Sequence, residues 1–335
     1  MVKMPRWGVL STAGIGLRKV IPAMLKTPYG QIGAIASRDP SKAKEAAERF
    51  GIARSYGSYE ELLADPDIDA VYNPLPIHLH VEWTIKALEA GKHVLCEKPI
   101  ALSANDAEEL VSARERTGKQ VLEAFMVRQH PQWLHARELV RNGEIGDVRL
   151  VQTVMSFFND DPDNIRNRPE VGGGALYDIG CYAVLLGRFI FADEPKRAVS
   201  LIDRDPALGT DRLTGALVDF GEGRHLSFSC STQLIRYQTV QIFGRNGRIE
   251  VPVSLNAPQG GETEIFVDRT GEVDRSGISR EVFAACDQYT LQAETAGKIF
   301  SGESSPEFPI EDAVANMRVI DAIYRSEKSG AWETI

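Results

Sequence analysis

The chain has 335 residues, of which 43% are hydrophobic and 25% are charged, and its 38 basic and 47 acidic residues give a formal net charge of −9. This length and composition are typical of a globular protein with two domains, and they exclude a largely disordered chain. The basic residues form no stripe along the sequence, which argues against nucleic acid as a partner.

The amino terminus and the apolar segments indicate neither a secreted nor a membrane protein. The first residues, MVKMPRWGVL, lead directly into a strand-like segment without the regions of a signal peptide. The apolar runs are shorter than the roughly 20 residues that span a bilayer. The four cysteines have neither metal-ligand nor disulfide-framework spacing, and we expect small buried side chains at Cys96, Cys181, Cys230 and Cys286. A cytoplasmic protein without a membrane partner is therefore expected.

Short apolar runs alternate with amphipathic segments up to about residue 125. The predicted strands are 7–10, 32–37, 69–73, 92–96 and 119–125. Helix-like segments lie between them, such as 39–50 and 81–90, and each of these two is followed by a glycine, which is a typical helix stop. This alternation predicts βαβ units, and hence an α/β domain with a doubly wound parallel sheet over residues 1–125.

The pattern changes after about residue 147. Strand-like segments with short turns that contain Gly and Asn follow one another at 148–158, 196–202, 213–220, 224–233, 239–251 and 263–269. They predict a second, α+β domain over residues 126–335 with a large, mostly antiparallel sheet. The segments 282–300 and 310–326 predict two closing helices.

A degenerate glycine turn follows the first strand. The six residues 11–16 have the sequence Ser11-Thr12-Ala13-Gly14-Ile15-Gly16 and lie where a GxGxxG turn would. Ser11 and Ala13 take the first two glycine positions, and Gly16 takes the third. Small residues let the backbone approach a pyrophosphate, which binds at the positive end of the following helix. An ordinary strand-to-helix turn is the alternative, but the position after the first strand favours a dinucleotide site with residues 11–15 as ligands.

The end of the second strand bears on the choice of cofactor. An NAD site has an acidic residue here, whereas this chain has Ser37 and Arg38. The planar guanidinium suits a phosphate. We therefore predict a preference for NADP(H), with NAD possible, in which Arg38 contacts the 2′-phosphate and Lys42 adds charge. The alternative is an exposed arginine ahead of a helix.

Glu97 and Lys98 follow the strand-like run 92–96. Ligands of open α/β sheets bind beyond the carboxyl ends of strands, so both residues are expected beside the nicotinamide. A lysine in such a cleft donates to a substrate oxygen and favours the ionised form of a nearby acid. A surface lysine ahead of a helix is the alternative.

The segment 172–182, GGGALYDIGCY, combines three glycines with an acid and a phenol. Glycines permit unusual backbone and close packing. Asp178 and Tyr182 are four residues apart, so they share a face of the helix that is expected to begin here. An acid and a phenol on one face form a proton-handling pair. A buried tyrosine and an aspartate near a helix start are the alternative.

Together these segments resemble the Gfo/Idh/MocA family of oxidoreductases, which includes glucose–fructose oxidoreductase and inositol dehydrogenase. The likeness covers most of the chain and rests on 7–16, 36–43, 69–80, 90–102, 123–132 and 172–182, of which AGKHVLCEKP is the most specific. It implies a Rossmann domain followed by a domain with an open-faced sheet. Because that sheet often forms oligomer contacts, a homodimer or homotetramer is expected.

The resemblance also assigns roles to single residues. Lys98 matches the lysine of the family's E-K-P motif, and Asp178 matches the aspartate of its glycine-rich motif. Tyr182 is similar to the tyrosine that is the proposed acid/base in the branch with dihydrodiol dehydrogenases and NADP-dependent xylose dehydrogenases. Further residues implied on the nicotinamide side of the cofactor are Asn73, Leu75, Pro76 and His80. Residues implied near the substrate pocket are Arg128 and Arg166.

The expected reaction is hydride transfer between nicotinamide C4 and a cyclic sugar or polyol, as in an aldose dehydrogenase such as D-xylose dehydrogenase or in a keto-sugar reductase. Tyr182 is expected to handle the proton, Lys98 to stabilise negative charge and Asp178 to orient hydroxyls. A trans-dihydrodiol dehydrogenase and a sugar- or dinucleotide-sensing protein without turnover are the alternatives. No metal site is expected, since His78, His80 and His93 have no metal-ligand spacing.

Overall fold

The computed structural model describes residues 3–335, which form two compact units. The first unit contains the described residues up to 126 together with 288–314, and the second contains 127–287 and 315–335. Residues 288–314 thus belong with the amino-terminal unit, whereas the sequence analysis assigned them to the second domain. The physical reason is burial, because Ala293, Ala296, Ile299 and Phe300 are part of the hydrophobic core of the first unit.

The first unit contains a parallel sheet. Within the described residues it has six strands, in the order β3-β2-β1-β4-β5-β6. Their bounds are β1 Arg6–Leu10, β2 Gln31–Ala36, β3 Arg54–Tyr56, β4 Ala70–Asn73, β5 His93–Cys96 and β6 Val121–Glu123. The helices between them are α1 Ile21–Met24, which continues a π-helical turn at Gly16–Val20, α2 Pro40–Phe50, α3 Tyr59–Leu63, α4 His80–Glu89 and α5 Ala104–Thr117. The predicted doubly wound α/β architecture is confirmed.

The second unit contains the larger sheet. Across residues 127–335 it has nine strands, in the order β14-β13-β12-β11-β7-β10-β9-β8-β15, and every neighbouring pair is antiparallel except β7 and β10. The strands are β7 Val148–Phe158, β8 Arg197–Arg204, β9 Asp211–Gly221, β10 Arg224–Ser231, β11 Gln233–Gly244, β12 Arg248–Val251, β13 Thr263–Asp268, β14 Ile278–Phe283 and β15 Glu333–Thr334. Its helices are α6 Pro131–Arg141 and α7 Cys181–Phe191. The predicted, mostly antiparallel sheet is confirmed.

Two further helices lie between β14 and β15 in the chain, α8 Gln288–Phe300 and α9 Ile310–Ser329. The prediction of a helix over 282–300 was wrong at its amino-terminal end. There the chain forms β14, which pairs with β13 from Thr263↔Phe283 to Asp268↔Ile278. Its side chains alternate between half-buried and exposed positions over most of the strand, as expected for a strand on a partly solvated sheet.

The segment Pro169–Phe191, which ends with α7, is long and apolar enough by length and composition to cross a membrane. The sequence analysis had considered the apolar runs too short for this. The most apolar window of the segment is 78% buried inside the structure, which is also the behaviour of a core helix in a globular protein. Helix α7 packs against β7 and β10 of the large sheet.

Two histidines, half-buried His93 and buried His130, each accept a backbone N–H group. The Nδ1 atom of His93, in β5, accepts the N–H of Gln120 at 3.0 Å. The Nδ1 atom of His130, at the start of α6, accepts the N–H of Gln132 at 3.2 Å. Burial lowers the pKa of each ring from 6.5 to about 4. Both rings therefore resist protonation in the folded protein.

We expect the free energy of unfolding to fall as the pH is lowered from 6.5 towards 4. In that window the unfolded chain binds protons at His93, His130 and His80, whose pKa is lowered in the same way, while the folded protein does not. Stability is therefore complete above pH 6.5 and is lost below it. The loss is at most about 3 kcal/mol for each histidine. Calorimetric unfolding at a series of pH values measures it. His93→Gln should make the dependence shallower by one proton, and a stability that is flat over this window would contradict the prediction.

Candidate active site

The turn after β1 has a left-handed residue at the position where a GxGxxG turn has its first glycine. Ser11 has a φ of +89°, a left-handed conformation that glycine adopts more readily. Its N–H donates to the carbonyl oxygen of Ala36 at 2.9 Å, and its hydroxyl accepts the N–H of Ala13 at 3.2 Å. The chain is then helical from Gly14 onwards. Of the predicted ligands, Ser11, Thr12 and Ala13 thus form the turn after β1, and Gly14 and Ile15 begin the helix.

Arg18 is a candidate that the sequence analysis missed. One of its guanidinium nitrogens lies 2.5 Å from the point that a Cβ atom on Gly14 would occupy, so the side chain folds back over the turn. It adds positive charge at the amino-terminal end of this helix, where an anion is already favoured. A basic residue one helical turn after Gly14 is the signal that was available in the sequence.

Arg38 lies just beyond the carboxyl end of β2 and is exposed. Burial raises the pKa of Tyr59, a buried side chain at the start of α3, and the positive charge of Arg38 opposes this rise. The Tyr59 ring contacts Trp83 edge to face, with the ring centroids 4.9 Å apart. Tyr59 was also missed by the sequence analysis, and the effect of the Arg38 charge on its pKa indicates that the guanidinium lies near the start of α3.

The other polar residues at this strand end bind the backbone of α2. The Ser37 hydroxyl accepts the N–H of Asp39 at 3.2 Å. The Asp39 carboxylate caps the helix, since it accepts the N–H groups of Ser41 and Lys42 at 3.0 and 3.4 Å. The hydroxyl of Ser41 lowers the pKa of this carboxylate. The Lys42 ammonium is 3.9 Å from Asp39 and remains largely exposed.

Asn73 and His80 fix the loop that follows β4. The Asn73 amide donates to the carbonyl oxygen of His80 at 3.3 Å and to the Thr84 hydroxyl at 3.2 Å, and its own oxygen accepts the N–H of Leu75 at 3.3 Å. The two ring nitrogens of His80 lie 2.7 Å from the carbonyl oxygen of Leu75 and 2.9 Å from that of Pro99. His80 therefore ties the loop after β4 to the segment that contains Lys98.

Burial lowers the pKa of His80 from 6.5 to about 4, although both carbonyl oxygens favour the protonated ring. A neutral imidazole can donate to only one of them. With their polar atoms engaged in this way, Asn73 and His80 support the loop, and Leu75 and Pro76 form the loop itself.

Glu97 and Lys98 follow β5. The hydroxyl of Tyr72, a fully buried side chain of β4, donates to Glu97 Oε1 at 2.6 Å, and burial raises the pKa of this phenol. The Glu97 N–H donates to the carbonyl oxygen of Asn73 at 3.0 Å. Lys98 is partly exposed, and its peptide bond to Pro99 is cis. Its charge contributes to the lowered pKa of His80.

The first unit thus collects its predicted residues at the carboxyl ends of β1, β2, β4 and β5. The strand order reverses between β1 and β4, and ligands of open α/β sheets bind beyond the carboxyl ends at such a switch point. Gly16 lies against the Tyr72 ring there, since a Cβ on it would be 3.7 Å from Tyr72 Cε1.

The three glycines of the second unit allow two backbone segments to touch. Gly172 and Gly174 have φ values of +86° and +127°. A Cβ on Gly173 would lie 2.7 Å from backbone atoms of residues 166 and 168, which is too close for any side chain. The N–H of Gly174 donates to the carbonyl oxygen of Arg166 at 2.8 Å. The expected unusual backbone and close packing are both present.

This contact brings Arg166 to the helical segment with the predicted acid and phenol. Arg166 Nε donates to Asp178 Oδ2 at 2.8 Å, and the Asp178 side chain is only 18% exposed. Asp178 lies in a π-helical turn, Leu176–Gly180, which runs into α7, where Tyr182 is in the first turn and is 5% exposed. The spacing of four keeps Asp178 and Tyr182 on one face. Arg128 lies in the 3₁₀ turn Met126–Gln129 and is buried.

Lys98 belongs to the first unit and Tyr182 to the second, so their cooperation stays a prediction. Within residues 3–335, His, Cys, Asp and Glu side chains form no group of three or more that could hold a metal ion.

Comparison with known proteins identifies the family. Residues 6–125 match the oxidoreductase family with an NAD-binding Rossmann fold, GFO/IDH/MocA, and residues 133–250 match the GFO/IDH/MocA C-terminal domain. The chain belongs to this family. The resemblance inferred from the sequence motifs is therefore confirmed.

Several known proteins are similar to this chain over nearly its whole length. It is 46% identical to an uncharacterised oxidoreductase of Rhizobium meliloti, over 98% of this chain and 99% of the relative. It is 38% identical to an NADP⁺-dependent D-xylose 1-dehydrogenase of Haloferax volcanii, over 97% and 98%. Its fold is similar to that of a 3-ketoreductase from Actinomadura kijaniata solved with NADP and TDP-benzene, with a TM-score of 0.90, 27% identity and coverage of 97% and 98%.

Proposed function

We propose that this protein is an NADP(H)-dependent oxidoreductase that transfers a hydride between nicotinamide C4 and a carbon of a cyclic sugar or polyol. The observation that carries the proposal is the ion-paired Asp178 one helical turn before the buried phenol of Tyr182, in a chain of this oxidoreductase family. The xylose dehydrogenase and 3-ketoreductase among the similar proteins support a sugar as the substrate class.

The residues at the end of β2 support NADP(H) as the cofactor. Asp39 is engaged as the cap of α2, so the carboxylate nearest this strand end is not offered to a ribose. Arg38 offers an exposed guanidinium just beyond the end of β2, and a planar fork of donors suits a phosphate. The fit of Arg38, Ser37 and Lys42 to a 2′-phosphate is the basis for this choice.

Arg38→Ala should lower kcat/KM for NADP⁺ about 10- to 100-fold, because a hydrogen bond to a charged group contributes about 1.5–3 kcal/mol. The value for NAD⁺, which lacks the 2′-phosphate, should change little. Initial rates with both cofactors measure this. Arg49→Ala, on the same stretch of chain but at the end of α2, is the matched control. Equal losses for the two cofactors would contradict the assignment.

The bound nicotinamide would supply or accept the hydride. Tyr182 would donate a proton to the substrate oxygen in reduction and remove it in oxidation. Lys98 would stabilise the negative charge that develops on that oxygen or on the phenol. Asp178, held by Arg166, would accept hydrogen bonds from neighbouring substrate hydroxyls and so orient the ring. A protein that only sensed sugars or dinucleotides would need no proton transfer, so the presence of both Lys98 and Tyr182 argues against such a role.

Tyr182→Phe should lower kcat about 10²- to 10⁴-fold, the usual contribution of general acid–base catalysis, with little change in NADP(H) affinity. NADP⁺ reduction with a panel of aldoses, inositols and cyclic diols, and NADPH oxidation with keto-sugars, first identifies a substrate. Tyr177→Phe, five residues earlier in the same helical segment, is the control and should retain turnover. Near-normal turnover of Tyr182→Phe would refute the acid/base role, and wild-type inactivity on both panels would refute the proposed function.

A second copy of the chain is the partner that we propose for the exposed face of the large sheet. Leu201, Gly215, Ser229 and Val154 are successive cross-strand neighbours from β8 to β7, and Leu201 is 83% exposed. The exposed large apolar side chains of these strands are Leu201, Leu213, Leu217 and Val154, and an exposed apolar patch marks an interaction site. We propose a homodimer or homotetramer and a cytoplasmic location, which the four free thiols of the described residues also support.

Leu201→Lys should shift the protein towards its monomer mass of 36.9 kDa, because a charge on this face would be desolvated in the interface. Light scattering after size-exclusion chromatography gives the mass. Val273→Lys alters a side chain that is 97% exposed on a loop and is the matched control. A wild-type protein that is already monomeric would contradict the proposal.

A further inference from the structure

Asp211 is a buried carboxylate of the second unit, and none of the roles proposed above uses it. It is the first residue of β9 and is 1% exposed. Its Oδ2 atom accepts the N–H of Leu176 at 2.7 Å and the hydroxyl of Thr214 at 3.1 Å. Its Oδ1 atom accepts the hydroxyl of Tyr324 at 3.1 Å. A carboxylate is costly to bury unless it is paired in this way.

The Leu176 N–H is the informative partner of this carboxylate. Leu176 opens the π-helical turn that contains Asp178 and leads to Tyr182. The first N–H groups of a helix have no partner within the helix, and negative charge is stabilised at that end. Such groups are usually capped by a residue next to them in sequence. Here the acceptor is Asp211, which lies 35 positions later in the chain, on strand β9 of the large sheet.

The same carboxylate also supports the glycine turn. A Cβ on Gly174 would lie only 1.9 Å from Asp211 Oδ1, so the backbone at Gly174 packs directly on this oxygen. The N–H of Gly174 in turn donates to the carbonyl oxygen of Arg166, and Arg166 pairs with Asp178. Asp211 therefore contacts both the turn that positions Arg166 and the start of the helix that carries Asp178 and Tyr182.

We propose that Asp211 is a positioning residue, which sets the place of Asp178 and Tyr182 by holding Gly174 and the N–H of Leu176. Thr214 and Tyr324 hold the carboxylate in the required orientation. The inference rests on the proposed function, because it assumes that Asp178 and Tyr182 act on the substrate. Displacing a reacting group by about 1 Å can cost about 10²-fold in rate, so an effect on turnover is expected beyond any effect on stability.

Three variants separate positioning from stability. Asp211→Ala removes the acceptor of the Leu176 N–H and should lower kcat per folded molecule at least tenfold. Asp211→Asn keeps the shape and offers a weaker, neutral acceptor, so a smaller loss of three- to tenfold is expected. Asp219→Asn changes an aspartate on the same strand that pairs with Arg197 and contacts neither Leu176 nor Gly174, and as the matched control it should stay within twofold of the wild type.

The measurements are kcat and KM, the affinity for NADP(H), the thermal midpoint and amide hydrogen exchange of residues 174–182. We expect faster exchange of this segment and a lower kcat in both Asp211 variants, with unchanged cofactor affinity. A lower thermal midpoint with a kcat within twofold of the wild type would overturn the positioning role. Should Asp211→Ala fail to fold, Asp211→Asn decides.

Exchange distinguishes failure of this inference from failure of the proposed function. Unchanged exchange at 174–182 in the Asp211 variants overturns the inference even if the wild type oxidises sugars. Full turnover of Tyr182→Phe overturns the acid/base role. In that case faster exchange in the Asp211 variants still supports the hold of Asp211 on this segment.

Discussion

The close packing of the Gly173–Gly174 backbone is the constraint on which the substrate-side residues depend. At Gly173 the neighbour is the backbone of residues 166 and 168, and at Gly174 it is the Asp211 carboxylate. No side chain fits at either position. Because the two segments touch, Arg166 reaches Asp178, and the pair is held one helical turn before Tyr182. The ion pair is thus a consequence of backbone geometry.

In the first unit, side-chain hydrogen bonds rather than close backbone packing fix the candidate site residues. Asn73 and His80 use their polar atoms to bind backbone groups of the loops after β4 and β5. Tyr72 directs its hydroxyl at Glu97. These contacts fix the conformation of the two loops. Because the polar atoms of these residues are engaged with the protein, few groups of the first unit remain for hydride and proton transfer. Two of the residues expected to line the cofactor, Asn73 and His80, therefore also hold the loops in place.

Much of the fold was predictable, because local signals agreed with the tertiary packing. In α2, for example, Asp39 caps the helix and Gly51 ends it in the left-handed conformation, and both residues are adjacent to the element that they define. The helix predicted over 282–300 shows the opposite case. Residues 278–283 became a strand because β13 offered a pairing partner, and no local pattern encodes that partner. Likewise, nothing local assigns residues 288–314 to the first unit, since their partners lie in its core.

By itself the sequence determined the alternation of strands and helices, the two sheet types, the glycine turns and the spacing of Asp178 and Tyr182, because each of these is a property of neighbouring residues. Tertiary structure alone decided the partners of His80 and Leu176. The hydrogen bonds of His80 with Pro99 and of Leu176 with Asp211 join positions that are 19 and 35 residues apart. Side chains that act over such separations leave no periodic signal, since only the fold sets which of them meet.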